Sequence, residues 1–206
     1  MKNTVLDPVV SVVIRSALYC LLALGTAFVL LKEASSIGQS ATFNESSMIE
    51  WLQLLYLCIC VILFFLSMNM KSSRMPLSML LAGMALLASI RELDYYLDNY
   101  VFDGAWQTIA LLVALVTGFY VIKYSKGLKS SIQEFTTKAS FGYMTSAFVI
   151  LFVFSRMIGM QLLWRAVMGE NYMRTVKSLV EESTELFGYT LLLIGAIEFY
   201  RESRSE

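Results

Sequence analysis

Six long apolar stretches alternate with short polar linkers along the chain of 206 residues. A transmembrane helix needs about 20 predominantly apolar residues to cross the hydrocarbon core of a bilayer. Each of the six stretches reaches that length, and no linker is long enough to form a second domain. The pattern therefore predicts a single all-α integral membrane domain over residues 1–206, a bundle of about six transmembrane helices. The predicted helices cover residues 9–31, 48–70, 76–97, 105–124, 139–163 and 176–200.

The composition agrees with a membrane protein and limits the chemistry. Hydrophobic residues make up 57% of the chain, against about half in an ordinary soluble domain. The formal net charge is zero, so no overall positive field attracts nucleic acid. The chain has no histidine, which excludes histidine-activated nucleophiles and histidine-ligated zinc sites. Its three cysteines lie inside apolar stretches, where cysteine acts as a small hydrophobic residue.

Positive charge in the linkers predicts the orientation of the helices. Lysine and arginine accumulate in the short cytoplasmic loops of membrane proteins. If the N-terminus is cytoplasmic, nine of these residues fall on the cytoplasmic side and four on the outer side. We therefore predict that both termini are cytoplasmic, in a plasma or bacterial inner membrane. The nine are Lys2, Lys71, Arg74, Lys123, Lys126, Lys129, Lys138, Arg201 and Arg204, and the four are Lys32, Arg165, Arg174 and Lys177.

Polar side chains cluster near the ends of five predicted helices, on the side opposite the termini. An ionisable residue within the membrane costs about 2.5–3.5 kcal/mol and usually faces the bundle interior or a water-filled cavity. Glu92 on the third helix and Glu181 and Glu185 on the sixth extend stripes of small residues, which favours an inward direction. We therefore expect a pocket that opens to the outer face. Its predicted ligand-binding residues are Glu50, Gln53, Arg91, Glu92, Asp94, Arg156, Gln161, Glu181 and Glu185.

Two further expectations concern the arginines of this cluster. Arg156 shares a face of the fifth helix with Gly142, Thr145 and Gly159, which predicts a close helix contact along a seam of small residues. Arg91 and Asp94 lie three residues apart on the third helix, a spacing at which opposite charges can pair.

The inner half of the predicted bundle is apolar. The helix faces that carry the cluster continue with residues such as Leu57 and Leu192. Ion conduction requires favourable groups along the whole route, so we predict a blind pocket rather than a continuous path. Arg15 and Glu198 are the deep charges elsewhere, and they can pair with each other or reach the interface with their long side chains.

The cluster has a surplus of negative charge, with six carboxylates against Arg91 and Arg156. Carboxylates crowded away from water stay ionised only if protons are shared or a cation is bound. Oxygen ligands suit calcium, magnesium or manganese, and the predicted metal ligands are Glu92, Glu181 and Glu185. The alternative is a purely structural role, in which arginine–glutamate pairs join helices and acids at a helix start favour the helix dipole.

Three functions are compatible with this pattern. The first is a binding protein whose outward-facing pocket holds a cation or a polar or lipid headgroup. The second is a membrane-embedded, divalent-metal-dependent hydrolase or transferase acting on a lipid, with Glu50 as base and Arg91 or Arg156 stabilising developing negative charge. The third is a small proton- or cation-coupled transporter, which the apolar inner half disfavours. The predicted partners are the lipid bilayer and a lipid or small cationic ligand, and both a monomer and an oligomer fit the sequence.

Overall fold

The computed structural model describes residues 7–40, 47–70 and 74–205. Within these ranges the regular secondary structure is helical and no strand occurs. The helices are α1 (Pro8–Ser40), α2 (Met48–Met68), α3 (Met75–Glu92), α4 (Asp94–Tyr100), α5 (Ala105–Lys123), α6 (Leu128–Phe135), α7 (Ala139–Val149), α8 (Ser155–Ile158), α9 (Gln161–Met168) and α10 (Arg174–Ser205), with a π-helical turn at Ile150–Phe154 that joins α7 to α8.

Among the described residues, five helical segments are long and apolar enough to cross a membrane. This confirms an all-α integral membrane protein. α10 is not one of the five, because its ends carry many charges, so a sixth span stays a prediction. α10 has 32 residues, which correspond to about 48 Å of helix, more than the hydrocarbon core of about 30 Å. The five segments are Pro8–Ser35, Met48–Met68, Met75–Glu92, Ala105–Lys123 and Ala139–Ile158.

The third and fifth predicted helices end earlier than expected, whereas the first is longer and ends at Ser40 rather than at residue 31. The third helix was expected to continue to residue 97, but Leu93 leaves the helical conformation with φ −99° and ψ 9°. The Asp94 carboxylate then accepts a hydrogen bond of 2.5 Å from the backbone N–H of Tyr95 and begins α4. The fifth helix ends at Ile158 rather than at residue 163, because the backbone turns at Met160 before α9. Hydrophobic patterns do not distinguish one long helix from two short ones at an angle.

α10 lies at the centre of the bundle. It packs against α2 on one side and against α7 on the other, while α3 packs between α2 and α5. Two glycines allow the close approach of α7, as the predicted small-residue stripe implied. A Cβ atom on Gly188 would lie 2.7 Å from Leu151 Cγ, and one on Gly195 would lie 2.8 Å from Met144 Cγ. The seam predicted on the fifth helix is present only in part: a Cβ atom on Gly142 would meet open space, whereas one on Gly159 would overlap the Glu181 carboxylate of α10.

α1 and α5 lie at the outside of the bundle. Only 6% of the apolar part of each helix is buried within the chain, and large side chains such as Leu24 and Leu111 are exposed. In contrast, the fully buried Leu57, Leu186 and Phe199 belong to α2 and α10. The exposed apolar surface of α1 and α5 is therefore the part of the protein that the hydrocarbon of the bilayer covers.

The alternating directions of the helices create two polar regions at opposite ends of α10. The starts of α2 and α10 meet the end of α3, as the contacts of Glu182 with Ser47 and of Tyr189 with Glu92 demonstrate. At the other end, the last turns of α10 meet the starts of α3 and α7 through Arg74 and Ser140. We call the first region the carboxylate cleft and the second the Arg74 network.

Candidate functional site

The carboxylate cleft is a cavity of about 390 Å³ between the starts of α2 and α10, the end of α3 and the start of α4. Six carboxylate side chains and one arginine line it. Seven of the nine predicted ligand-binding residues are among the lining residues, and Arg156 and Gln161 are not. The lining residues are Glu50, Gln53, Arg91, Glu92, Asp94, Tyr95, Ser178, Glu181, Glu182 and Glu185.

Glu185 connects three helices at the base of the cleft. It is 5% exposed, and its Oε1 accepts a hydrogen bond of 2.7 Å from the Ser155 hydroxyl. The same oxygen pairs with Arg156 and lies 3.5 Å from Arg91 Nη2. Both arginine side chains are almost half exposed, at 47% and 45%. Because a guanidinium carries five N–H donors, each retains donors that can contact a ligand.

Glu92 is held from the α10 side by a tyrosine. The Tyr189 hydroxyl donates a hydrogen bond of 2.7 Å to Glu92 Oε1, and Arg91 Nη2 lies 4.0 Å from the same oxygen. The possibility that Arg91 pairs with Asp94 is not realised, because Arg91 lies near Glu185 of α10, while the Asp94 carboxylate accepts a hydrogen bond from the backbone N–H of Tyr95. Tyr189, which lines the neighbouring apolar groove, thus holds a carboxylate of the cleft in place.

The upper part of the cleft is formed by the first turns of α10. Glu181 pairs with Lys177 one turn earlier on the same helix, and its carboxylate lies against Gly159, where a Cβ atom would overlap it. Glu182 accepts a hydrogen bond of 3.4 Å from the Ser47 hydroxyl. The buried amide of Gln53 donates a hydrogen bond of 3.1 Å to the Glu182 carbonyl. The start of α2 is therefore fixed against α10 by polar contacts.

Arg156 and Gln161 lie beside the cleft rather than on its wall. Arg156 lines a neighbouring cavity, although it reaches Glu185 from there. Gln161 is exposed on α9 next to Arg165. The difference arises because the fifth predicted helix ends before Gln161, and α9 carries that residue away from the bundle.

The predicted metal site has no support in this geometry. Within the described ranges, no three Asp, Glu or Cys side chains are grouped so that they could hold a metal ion. Glu92 and Glu185 both lie near Arg91, at 4.0 and 3.5 Å from its Nη2 atom, and Glu181 pairs with Lys177. Basic side chains of the protein itself therefore face the three carboxylates.

An apolar groove of about 540 Å³ adjoins the cleft. Its floor is formed by α2 and α10, its walls are α3 and the α7–α8 segment with the π-helical turn, and α6 closes one end. At the other end stand Arg91 and Arg156, and Arg91 lines the cleft as well. The lining residues are Phe64, Leu81, Met84, Ala85, Leu87, Ala88, Arg91, Phe135, Phe141, Met144, Thr145, Ala147, Phe148, Leu151, Phe152, Arg156, Tyr189 and Leu192.

The Arg74 network joins the helices at the opposite end. Arg74 is 2% exposed and donates hydrogen bonds to Glu134 at 2.5 Å and to Ser203 at 3.3 Å. The buried Glu202 accepts a hydrogen bond of 2.5 Å from the Ser140 hydroxyl. The sequence pattern did not indicate this group, because Arg74 lies in the linker between the second and third predicted helices. The spacing of four residues between Glu198 and Glu202, which places both on one face of α10, is the signal that points to it.

Glu198 completes that network on the side of α1. It lies 3.2 Å from Arg15 Nε, pairs with Arg201 and accepts a hydrogen bond of 2.5 Å from the Tyr19 hydroxyl. The predicted pairing of Arg15 with Glu198 is therefore confirmed. The described side chains of this region include three glutamates and three arginines, without the surplus of acids found in the cleft; two of the glutamates pair with arginines and Glu202 with Ser140.

Comparison with known proteins gives no relative from which a function could be transferred. No protein-family model matches the chain, and neither a curated protein nor a solved structure matches it. The functional argument therefore depends on the geometry of the cleft and the groove.

Proposed function

We propose that the chain is a membrane-embedded binding protein whose carboxylate cleft holds a positively charged group, such as an ammonium group. The observation that carries this proposal is the presence of six carboxylates and a single arginine on the wall of one cavity of about 390 Å³. A ligand with a positive charge reduces the mutual repulsion of these acids when it binds. A cavity of this size also falls in the range of about 300–1,000 Å³ typical of small-molecule sites.

The charges around the cleft favour a positively charged ligand. Arg91, Arg156 and Lys177 contact cleft carboxylates, so three basic side chains face six acidic ones. A cleft with walls of low dielectric concentrates the field of such a surplus and attracts ions of opposite sign. The same field would repel an anion placed at the centre of the cleft.

In this proposal the cleft opens on the outer side of the membrane and α10 is the sixth span. The basis is the excess of lysine and arginine at the end of the Arg74 network, which the positive-inside rule assigns to the cytoplasm. Lys2 and Lys71 are two of the nine basic residues predicted on the cytoplasmic side, but they lie outside the described residues. The described residues that support it are Arg74, Lys123, Lys126, Lys129, Lys138, Arg201 and Arg204.

The two other functions have less support. The stretch 191–197 of α10, between the cleft and the Arg74 network, contains only apolar residues, and a transport path needs favourable groups along its length. A metal-dependent reaction needs convergent ligands, which the described carboxylates do not supply. Binding requires neither feature.

Calorimetry on the purified protein in nanodiscs tests the proposal. We expect ethanolamine, as its ammonium ion, to bind, and uncharged ethylene glycol at the same ionic strength not to bind. Glu182→Gln removes one cleft charge and should weaken binding about fivefold, the effect of roughly 1 kcal/mol. Glu170→Gln removes an exposed acid that does not line the cleft and should leave affinity unchanged. Equal binding of both compounds, or equal effects of both variants, would reject the cleft as a cation site.

A further inference from the structure

We infer that the apolar groove holds one acyl chain of a bilayer phospholipid and that Arg91 and Arg156 bind the phosphate of that lipid. The groove and the two arginines carry this inference without the acidic cleft. A preference among phospholipid headgroups, argued below, rests on the proposed function of the cleft.

The groove has the length and the lining that an acyl chain needs. Its wall runs from Phe141 to Arg156, a distance of about 22 Å at 1.5 Å per residue. One leaflet of a bilayer contributes about 15 Å of hydrocarbon, half of the core, so the groove accommodates a chain along its full depth. Its lining is apolar except at Thr145, Tyr189 and the two arginines.

The groove is accessible from the bilayer. α3 packs against α2 and α5, whereas α7 packs against α10, so the space between α3 and α7 is left open at the side. Met84 on one wall is 44% exposed, and Phe148 and Phe152 on the other are 50% and 60% exposed. The rings of Phe148 and Phe152 stack with centroids 4.4 Å apart. A lipid chain can therefore enter sideways without the helices separating.

The arginines identify the polar end of the occupant. Arg91 and Arg156 come from different helices and meet at one end of the groove. Glu185 contacts both arginines and Glu92 lies 4.0 Å from Arg91, but both guanidiniums are almost half exposed and keep N–H donors that these carboxylates do not use. Guanidinium groups bind phosphate oxygens through paired, charge-assisted hydrogen bonds. A phosphate at this point would accept the donors that Glu185 leaves unused, while its acyl chain lies along the groove.

A lipid fits this space better than a helix of a second copy. A membrane-spanning helix would place apolar side chains against the two guanidiniums, whereas a phospholipid complements both the apolar and the charged part of the site.

The position of Arg91 links the groove to the cleft. Because Arg91 lines both cavities, a headgroup attached to a phosphate at this arginine projects toward the carboxylates. A primary ammonium in that headgroup would occupy the cleft in the way the proposed function describes. The expected lipid class is therefore an aminophospholipid such as phosphatidylethanolamine.

Lipid retention tests the inference. The full chain is purified from bilayers containing equal amounts of phosphatidylethanolamine, phosphatidylglycerol and diacylglycerol, and the lipid that stays bound is measured by mass spectrometry. We expect phospholipid to be retained over diacylglycerol. Thr145→Trp fills the groove from an exposed position and should lower retention about tenfold, whereas Leu115→Trp on the exposed face of α5 should have no effect. Met84→Trp on the opposite wall repeats the test if Thr145→Trp does not fold.

The phosphate contact has its own pair of variants. Arg156→Gln should reduce phospholipid retention about tenfold, and Arg165→Gln, which changes an exposed arginine on α9, should not. Retention that is the same in the groove variants and the α5 variant overturns the inference. Equal effects of the two arginine variants on retention also overturn it, as does retention of diacylglycerol equal to that of phospholipid. A dimer of the chain that Thr145→Trp dissociates overturns it as well.

The outcomes for the two proposals are distinguishable. If phospholipid is retained through the groove but phosphatidylethanolamine is not preferred over phosphatidylglycerol, the groove inference stands and the headgroup preference fails. Calorimetry with ethanolamine then decides the cation function of the cleft by itself. If ethanolamine binds in calorimetry while no phospholipid is retained, the groove inference fails and the cleft function stands.

Discussion

Buried charges are compensated in different ways at the two ends of α10. In the Arg74 network, three glutamates are matched in number by three arginines: Glu134 pairs with Arg74, Glu198 pairs with Arg15 and Arg201, and Glu202 accepts a hydrogen bond from Ser140. In the carboxylate cleft, six acids surround a cavity of about 390 Å³ and three basic side chains contact them. Balanced, close-packed charges hold helices together, whereas a surplus of one sign around an open cavity provides a place for a ligand.

The two ends also differ in the role expected of each charge. Removing one partner from a buried, balanced pair leaves the other charge without compensation and destabilises a protein strongly. Removing one charge from a surplus relieves repulsion. The following predictions use this difference, beginning with the largest expected effect.

The largest effect is an all-or-none difference in accessibility. Phe102→Cys near the cleft and Ser125→Cys near the Arg74 network change exposed positions at opposite ends. In a background without Cys20, Cys58 and Cys60, an impermeant thiol reagent added to intact cells should label only the cysteine at position 102. Labelling only of the cysteine at position 125 would invert the orientation of the cleft.

Arg74→Ala should cause the largest loss of stability. The arginine is almost fully buried, and its removal takes away both the ion pair with Glu134 and the hydrogen bond to Ser203, so we expect a loss of about 3 kcal/mol. Denaturant titration in detergent micelles measures the free energy of unfolding. Arg204→Ala, which changes an exposed residue on α10, is the control and should cost less than about 0.5 kcal/mol. Similar losses in both variants would remove the distinction between the network and the exposed surface.

Tyr189→Phe should have an intermediate effect at the cleft. The substitution removes the hydrogen bond to Glu92 and keeps the buried ring of this α10 residue, so we expect a loss of about 1 kcal/mol. Tyr100→Phe removes the hydroxyl of a tyrosine that is 81% exposed and serves as the matched control in the same titration. An unchanged stability of Tyr189→Phe would mean that this hydrogen bond does not stabilise the position of Glu92.

The smallest predicted effect is a change in stability whose sign differs between the two ends of α10. Glu182→Gln removes one of the surplus cleft charges and should leave stability unchanged or raise it by about 0.5 kcal/mol. Glu202→Gln removes a charge from the balanced network and should lower stability. Destabilisation by both variants to the same extent would contradict the assignment of a surplus to the cleft alone.

Much of the fold follows from the hydrophobic pattern. Each predicted stretch corresponds to a long helix in the structure, because a membrane span has few alternatives to a helix. The pattern did not find the break after Glu92 or the turn at Met160, which depend on local backbone geometry. The π-helical turn at Ile150–Phe154 likewise has no signature in the spacing of apolar residues.

The cleft was easier to predict than the groove for a physical reason. Glutamates near helix ends indicate a shared polar region by their cost in the membrane, and Glu92 and Glu185 do lie in one region. Phe148 and Phe152, in contrast, have the pattern of any lipid-facing aromatic residue. Their role depends on α3 and α7 being separated, which is a property of helix packing and not of either segment.

A density map of the chain in nanodiscs containing phosphatidylethanolamine tests the central claim most directly. The account predicts density for a headgroup in the cleft between Glu92 and Glu182, continuous past Arg91 with a chain in the groove. Density only for protein side chains between these glutamates, with the groove occupied by a helix of another copy or closed by α3, would contradict it.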